Sequence, residues 1–320
     1  MTFVLVAAAL GFAFVSGAND GATLTTTGAQ VGALPLLGAL GLLAVAVAGV
    51  PALVGTSVAT TLAHGLVGFE HTGGRLAFLA AVAAALGVVL ALSRRGLPTS
   101  VTLALSGGIV GTGIGAGLPL HRATIALVLA VGTVGPLLAG AVGYLVAPRV
   151  RVALGPDVER PGRPRVLRQA GFALQTFAYG ANGAEKLVAF VAVADGARLD
   201  PVHLHLATQL GVAASFAAGS LVALRRLSGR LTEQTVRLRP AGALSAATTS
   251  SVLVLLSAAA GVPMSSTQAE TAALVGATAR LSPQGVRPRE VLSIGLAWAA
   301  TLPAALAGGV ALGLVVGALR

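Results

Sequence analysis

The chain alternates long apolar runs with short polar segments. The apolar runs cover residues 3–15, 31–68, 76–92 and 123–147 in the first half, and 171–193, 201–224, 243–260 and 291–316 in the second. Each half also holds a shorter glycine-rich run that follows a Pro-Ser turn. Because about 20 apolar residues in a helix cross the hydrocarbon core of a bilayer, the pattern predicts five membrane helices per half and ten crossings in total, or twelve if re-entrant segments also cross.

The composition supports a membrane assignment. The 320 residues are 55% hydrophobic and 10% charged, with a mean hydropathy of +0.89, whereas about 25% of the residues in a soluble domain are charged. Aromatic residues make up only 4% of the chain and glycine occurs 43 times, which disfavours a barrel with aromatic girdles and favours closely packed helices. We therefore predict an all-α integral membrane protein.

Charge and motifs exclude several functional classes. The formal net charge is +11, but the arginines lie in the polar loops, where they are typical determinants of topology rather than a nucleic-acid surface. The absence of cysteine excludes disulfides and thiol chemistry. Neither a nucleotide-binding loop nor a Gly-x-Ser-x-Gly motif is present, and the spaced pair His203 and His205 is a weak metal pattern. We expect no enzyme, no cofactor and no nucleic-acid partner.

Two polar segments interrupt the apolar pattern at matching places in the two halves. The segments contain Gly17, Asn19 and Asp20 in the first half and Gly180, Asn182, Gly183, Glu185 and Lys186 in the second. Backbone breaks and charges are tolerated at membrane depth only where they line a cavity. We predict that Gly17, Gly180 and Gly183 break their helices, and that residues 17–30 form a re-entrant or broken-helix element. Paired breaks of this kind indicate a transporter binding site.

The two halves are related by an internal duplication. Gly17 pairs with Gly180 at a shift of 163 residues, and Gly111 pairs with Gly276 at a shift of 165 residues. A nearly constant shift predicts a first repeat over residues 1–147, a basic linker over 148–168 and a second repeat over 169–320. Where a loop of one repeat is basic, the matching loop of the other is less so. Under the positive-inside rule the repeats have opposite orientations, with the linker in the cytoplasm.

Four charged residues lie within or beside apolar runs: Asp20, Glu185, Lys186 and Glu270. Asn19 and Asp20 offer the hard oxygen ligands that Na⁺ requires, although a desolvated aspartate could equally carry a proton. Lys186 is the only lysine in the chain and would supply positive charge to an anion site.

Hydroxyl groups follow the two Pro-Ser turns. They belong to Ser100, Thr102, Ser265, Ser266 and Thr267. A proline near a helix start, followed by serine and threonine, favours a half-helix whose free N–H groups and dipole attract an oxyanion. We predict that these hydroxyls and Lys186 bind the anion.

The sequence resembles the inorganic phosphate transporters with duplicated Gly-Ala-Asn-Asp signatures. Residues 17–20 match the first signature, and residues 177–182, with Lys186 beyond them, match the second. Residues 96–102 and 261–267 are similar to the family's two Gly-x-Pro-Val-Ser-Thr-Thr-His motifs. The resemblance implies an inverted-repeat fold with broken or re-entrant half-helices, multi-pass insertion in the plasma membrane, cation-coupled phosphate symport and a homodimer.

The resemblance also defines departures from the family pattern. Gly183 stands at the second signature aspartate, and Glu185 is expected to substitute for it, so that Asn19, Asp20, Asn182 and Glu185 hold the coupling cation. Leu103 and Gln268 stand at the two motif histidines. These departures leave Na⁺ and H⁺ open as coupling ions. They also leave open a sulfate permease of the same fold, or a sensor or assembly protein that no longer transports.

Overall fold

The computed structural model is helical in almost all of the part that it describes, which is residues 2–30, 32–70, 73–94, 99–155, 165–195, 206–227 and 240–319. The helices of the first half are α1 (Thr2–Ser16), α2 (Ala22–Gln30), α3 (Leu36–Val54), α4 (Ser57–Thr60), α5 (Gly74–Arg94), α6 (Val101–Gly115) and α7 (Arg122–Leu154). Those of the second half are α8 (Arg165–Tyr179), α9 (Glu185–Asp195), α10 (Leu206–Leu227), α11 (Pro240–Ala259), α12 (Ser266–Leu281) and α13 (Pro288–Ala318). Three π-helical segments are π1 (Gly17–Gly21), π2 (Thr61–Gly65) and π3 (Gly180–Ala184).

Within the described residues, six helical stretches are long and apolar enough to cross a membrane. They are Phe3–Gln30, Leu36–Val54, Gly74–Arg94, Arg122–Ala153, Pro240–Ala259 and Pro288–Ala318. Val101–Gly115 and Gln209–Arg225 are shorter apolar helices. The chain is therefore a multi-pass membrane protein, as its hydropathy predicts.

The expected break at Gly17 is not a break. The helix runs from Phe3 to Gln30 without interruption, and π1 widens it so that the amide of Ala22 donates to the carbonyl of Gly17. The second signature is likewise π-helical at π3, between α8 and α9. A π-turn keeps most backbone groups paired, whereas a true break in lipid would leave them unsatisfied.

The long apolar run at 31–68 does contain a break. Pro35 is the N-cap of α3, and Pro51 lies inside that helix. The chain leaves helical geometry at Gly55, whose φ of 95° favours glycine. A short helix then begins at Ser57. In the second half α10 passes through Gly219, the residue that matches Gly55, without a break.

The helices of the two halves correspond in order. The helix through π1 matches the helix through π3, and α3, α5, α6 and α7 match α10, α11, α12 and α13. The packing is reciprocal, since α6 packs on α13 while α12 packs on α7, and α10 packs on α1 and π1 while α3 packs on α8 and π3. Each half thus packs equivalent helices against the other half, and the two halves form one interlocked body.

Small residues make the close helix contacts possible. A side chain at Gly17 would meet the backbone of Phe216 on α10, and one at Gly219 would meet the backbone of Phe14 on α1. In the other pair of contacts, Gly111 lies against the backbone of Leu306 and Gly276 against that of Gly140. Glycine at these positions lets helix backbones approach without an intervening side chain.

The predicted linker begins inside a helix. α7 continues to Leu154, through Pro148 and beyond the predicted boundary at residue 147. α8 begins at Arg165, and the residues between 155 and 165 lie outside the described part of the chain.

Candidate functional site

The site is built around the N-termini of α6 and α12. Ser100 is the N-cap of α6, and its hydroxyl accepts a hydrogen bond from the amide of Leu103 at 3.2 Å. Ser265 does the same for α12 with the amide of Gln268 at 3.4 Å. The first-turn amides of a helix carry partial positive charge and lack intrahelical acceptors. The predicted half-helix starts are therefore present, and each is suited to an anion.

Asparagines of the two π-segments hold these helix starts in place. Asn19 donates to the carbonyl of Thr99 at 3.2 Å and accepts from the Thr99 hydroxyl at 3.2 Å. Asn182 donates to the carbonyl of Val262 at 3.2 Å and accepts from the amide of Met264 at 3.0 Å. Each asparagine thus bonds the segment that precedes the half-helix of its own repeat. Their amide groups position the backbone of the site.

Asp20 lies in π1 at a contact between the repeats. Its side chain is 6% exposed. One carboxylate oxygen accepts from Asn19 at 2.8 Å and from the hydroxyl of Thr267 on α12 at 3.3 Å. The other accepts from the hydroxyl of Tyr179 at 3.4 Å. All three donors are uncharged, so hydrogen bonding alone does not neutralise a buried carboxylate.

Lys186 lies between the two half-helix starts. Its ammonium group donates to the hydroxyl of Thr102, in the first turn of α6, at 2.6 Å. It also donates to the carbonyl of Met264, just before α12, at 3.2 Å. The side chain is 3% exposed. The charges of Lys186 and Asp20 attract each other, yet the two groups form no ion pair within 4 Å in the described part of the chain.

Glu185 faces a different helix start from its neighbour Lys186. One oxygen of its buried carboxylate accepts from the amides of Val58 at 2.7 Å and Ala59 at 3.1 Å. Those amides begin α4, directly after the break at Gly55. An anionic side chain at a helix N-terminus is stabilised by the free amides and the dipole. The structure thus places Glu185 apart from the hydrogen-bonded groups around Asp20.

The hydroxyls of the second Pro-Ser turn are not equivalent. Ser265 and Thr267 lie 3.3 Å apart through their hydroxyl oxygens. The hydroxyl of Ser266 is buried and has no partner in the described part of the chain. Accepting from a backbone amide leaves a hydroxyl its own hydrogen to donate, so the amide bonds of Ser100 and Ser265 do not prevent these side chains from donating to a ligand.

Comparison with known proteins identifies the family of the chain. The profile described as "Phosphate transporter family" matches residues 16–161 and 156–309. The chain belongs to the phosphate transporter family. A member from Mycobacterium tuberculosis (strain ATCC 25618 / H37Rv), named "Probable low-affinity inorganic phosphate transporter", is 31% identical over 98% of this chain and 78% of its own length. One from Bacillus subtilis (strain 168) with the same name is 24% identical over 95% of this chain and 93% of its own.

A solved structure shares the fold. The protein named "The sodium-dependent phosphate transporter" superposes with a TM-score of 0.80 over 100% of both chains, at 19% sequence identity. The helical membrane architecture described above is therefore a known one.

Two residues that depart from the family motifs line a cavity beside the site. Leu103 and Gln268 stand where the phosphate transporter motifs have histidine. Both border a cavity of about 470 Å³ between α6, α7, α12 and α13, whose other lining residues include Trp298. The amide oxygen of Gln268 is buried without a partner in the described part of the chain. The cavity is mainly apolar and lies next to the half-helix starts.

Four residues that take part in these hydrogen bonds were not among the predicted ones. Thr99, Val262 and Met264 bond the signature asparagines, and Tyr179 donates to Asp20. Thr99 could have been identified from its place in the Pro-Ser turn, and Tyr179 from its position within the second signature, directly before its glycine. Val262 and Met264 take part through their backbones, for which the side-chain type gives no signal.

The histidines do not build a metal site in the described part of the chain. No group of three or more metal-binding side chains occurs there. His64 lies 3.2 Å from the carboxylate of Glu70. The pair His203 and His205 lies outside the described residues.

Proposed function

We propose that this member of the phosphate transporter family imports inorganic phosphate across the plasma membrane as a cation-coupled secondary carrier, and that it acts as a homodimer. One observation carries the proposal. The buried ammonium group of Lys186 bridges the starts of two half-helices, and the buried carboxylate of Asp20 lies within its electrostatic reach. The names of the relatives support phosphate as the substrate.

The charges of the site explain why an anion would need a cation. In the structure, Asp20 is balanced by the attraction of Lys186. If phosphate bound at the half-helix starts, the positive charge of Lys186 would balance the phosphate in place of Asp20. The negative charge of Asp20 would then be uncompensated. An uncompensated buried charge costs several kcal/mol, so a cation at Asp20 lowers the free energy of the loaded state. Phosphate and cation would then bind cooperatively.

The roles of the residues follow from this arrangement. Lys186 and the hydroxyls of Ser100, Thr102, Ser265, Ser266 and Thr267 would hold phosphate. Asp20 would bind the cation with Asn19, and Thr267 would join the two sites because its hydroxyl already contacts Asp20. Asn182 and Glu185 remain proposed members of the cation site, and Glu185 would first have to leave the amides of α4.

The coupling ion at Asp20 is proposed to be Na⁺. Carboxylate, amide and hydroxyl oxygens converge there, and these are the ligands that hard cations prefer. The solved neighbour is named for its sodium dependence, which favours the same ion. A proton carried by Asp20 is the alternative.

Phosphate is favoured over sulfate by its protons. At neutral pH phosphate still carries O–H groups, which can donate to a carboxylate such as Asp20, whereas sulfate only accepts hydrogen bonds. A carboxylate near the anion therefore discriminates against sulfate. A sulfate permease would need an extra donor at this position.

Uptake into proteoliposomes tests both the class and the substrate. We expect labelled phosphate to accumulate against its gradient when an inward Na⁺ gradient is applied without ATP, and the accumulation to collapse with a Na⁺ ionophore. Excess sulfate should compete poorly. A channel would only equilibrate phosphate, a sulfate permease would take up sulfate in preference, and a transport-inactive sensor would do neither.

The inverted arrangement of the repeats predicts the accessibility of three loops. Because the chain has no cysteine, single cysteines can be introduced at Thr72, Gly162 and Gly229, which lie outside the described residues. We expect an impermeant thiol reagent to label Thr72→Cys from outside the cell, and Gly162→Cys and Gly229→Cys only from the cytoplasmic side. Labelling of Gly162→Cys from outside would contradict the opposite orientation of the repeats.

A further inference from the structure

A second buried carboxylate lies outside the site around Asp20. Glu270 on α12 is 5% exposed, beside the amide of Gln175 on α8 and the hydroxyl of Thr27 on α2. Its Oε2 atom has no hydrogen-bond partner in the described part of the chain, and neither does Nε2 of Gln175. No ion pair of Glu270 occurs in that part of the chain.

A small cavity reaches this cluster from one end of the molecule. Its volume of about 20 Å³ is lined by Thr27, Gln175, Phe172, Arg168 and Pro240, among others. A cavity of roughly 10–15 Å³ or more can hold a water molecule if polar groups surround it. Here the polar groups are Thr27, Gln175 and Arg168, whose Nε atom is also buried without a described partner. Water in this cavity would connect the neighbours of Glu270 to the end of the molecule that carries the linker.

The other repeat shows that this cluster is not a general requirement of the fold. With the shifts of 163 and 165 residues, Gln175, Thr27 and Glu270 correspond to Phe12, Phe190 and Leu105. Those three are fully buried and apolar, and the rings of Phe12 and Phe190 lie 4.6 Å apart. Equivalent helices therefore pack well through apolar side chains. Only one of these two equivalent packing sites contains the polar cluster of Glu270, Gln175 and Thr27.

We propose that Glu270 is a proton-binding site of this transporter, open to the linker side and distinct from the cation site at Asp20. A carboxylate that is buried without a cationic partner is costly, and binding a proton removes its charge. The cavity is lined by Thr27 and Gln175, the neighbours of Glu270, and not by Glu270 itself. A proton from solvent would pass through water in the cavity, cross this layer of side chains and form an O–H bond at Oε2.

The proton site is linked to Asp20 through α12. Thr267, which donates to Asp20, precedes Glu270 by about one helical turn, and Thr27 follows Asp20 by about two turns. When Asp20 releases its cation, an ionised Glu270 would place a second negative charge nearby. A protonated Glu270 would not, so protonation should ease cation release on the linker side. This consequence rests on the function proposed above, whereas the proton site itself does not.

None of the other charged groups described near α12 forms an ion pair with Glu270. Arg168 on α8 lines the cavity, and Asp20 in π1 is reached through Thr267. On α7, which packs against α12, Arg149 and Arg151 are exposed. On α12 itself, Arg280 lies over the ring of Tyr144. The remaining neighbours, α2 and α11, carry no charged residue.

The first measurement is infrared spectroscopy of the purified protein, which detects protonated carboxyl groups without any transport. We expect a protonated-carboxyl band in the wild type that is lost in Glu270→Gln and kept in Asp20→Asn and in Glu290→Gln, the control at an exposed position. Gln175→Leu, which keeps the carboxyl group but removes its neighbour, should move the band without removing it. A band unchanged in Glu270→Gln would overturn the proposal.

The second measurement is phosphate uptake at a fixed external pH while the pH on the linker side is varied, so that the protonation of external phosphate stays constant. Uptake by the wild type should be faster when the linker side is acidic, on the order of tenfold, because an ionised Glu270 would hold the cation at Asp20 more tightly than a protonated one. Glu270→Gln should be fast at every internal pH, and Glu290→Gln should behave as the wild type.

Retention of the internal-pH dependence by Glu270→Gln would contradict the proposal. A second contradicting result would come from melting temperatures. The proposal would be wrong if Na⁺, and not pH, raised the melting temperature of the wild type without raising that of Glu270→Gln. If the wild type transports no phosphate at all, the proposed function fails, and the infrared band still decides the role of Glu270.

Discussion

Asp20→Asn is expected to abolish concentrative phosphate uptake. The substitution keeps the size of the side chain, and its oxygen can still accept from Asn19 and Thr267, while its new NH₂ group can donate to the Tyr179 hydroxyl. Only the negative charge is lost. Without that charge, loading phosphate onto Lys186 leaves no carboxylate to be neutralised, so the cation gradient has nothing to act on.

The expected loss is large. Because Asp20 and Lys186, both in the described part of the chain, form no ion pair within 4 Å, the cost lies toward the lower end of the about 3–5 kcal/mol for breaking a buried ion pair, which corresponds to roughly 100-fold in the cation-dependent step. We expect the initial rate of Na⁺-driven uptake to fall by at least 100-fold, and phosphate binding measured without a gradient to persist. Glu290→Gln, at an exposed carboxylate, is the matched control and should transport normally. Normal accumulation by Asp20→Asn would show that the coupling cation binds elsewhere.

The features that sequence predicts well are those set by local chemistry. A serine that accepts from the amide three residues on is a short-range signal, and Ser100 and Ser265, at the two predicted half-helix starts, form those bonds. Hydropathy is also local, because each apolar run must span the bilayer by itself. The constant shift between the halves then brings the two half-helix starts together, since repeated elements pack reciprocally.

Long-range partners could not be predicted in this way. Glu185 bonds amides 126 and 127 residues away, and the partner exists only because α4 begins anew at Ser57. In a chain this apolar, helical periodicity does not show which face of a helix is buried. The contact of Glu270 with Gln175 and Thr27 could not be predicted for the same reason, although the isolated charge of Glu270 is visible in the sequence.

The interpretation of the signatures was wrong in one physical respect. Glycine and asparagine in an apolar run suggested a broken helix at Gly17. The structure keeps the helix and widens it, and its glycines serve the close approach of α10. A π-turn and a break share the same residue types, so composition alone cannot separate them.

Lys186→Met is expected to weaken phosphate binding while the need for the cation gradient remains. Methionine is unbranched like lysine and one heavy atom shorter, and it carries no charge. A hydrogen bond to a charged group contributes about 1.5–3 kcal/mol, so the KM for phosphate should rise roughly 10–100-fold. Thr102→Val removes the closest partner of Lys186 but leaves the ammonium group, and it should raise the KM by a smaller factor.

Stability measurements separate this effect from misfolding. Lys186→Met leaves Asp20 buried without its opposite charge, which should lower the melting temperature of the protein in detergent. The double variant Asp20→Asn/Lys186→Met removes both charges and should recover much of that stability, yet it should not transport phosphate. Both results follow if Lys186 binds the anion and balances Asp20 when the anion is absent. An unchanged KM for phosphate in Lys186→Met would instead mean that the two half-helix starts bind phosphate through their amides and hydroxyls alone.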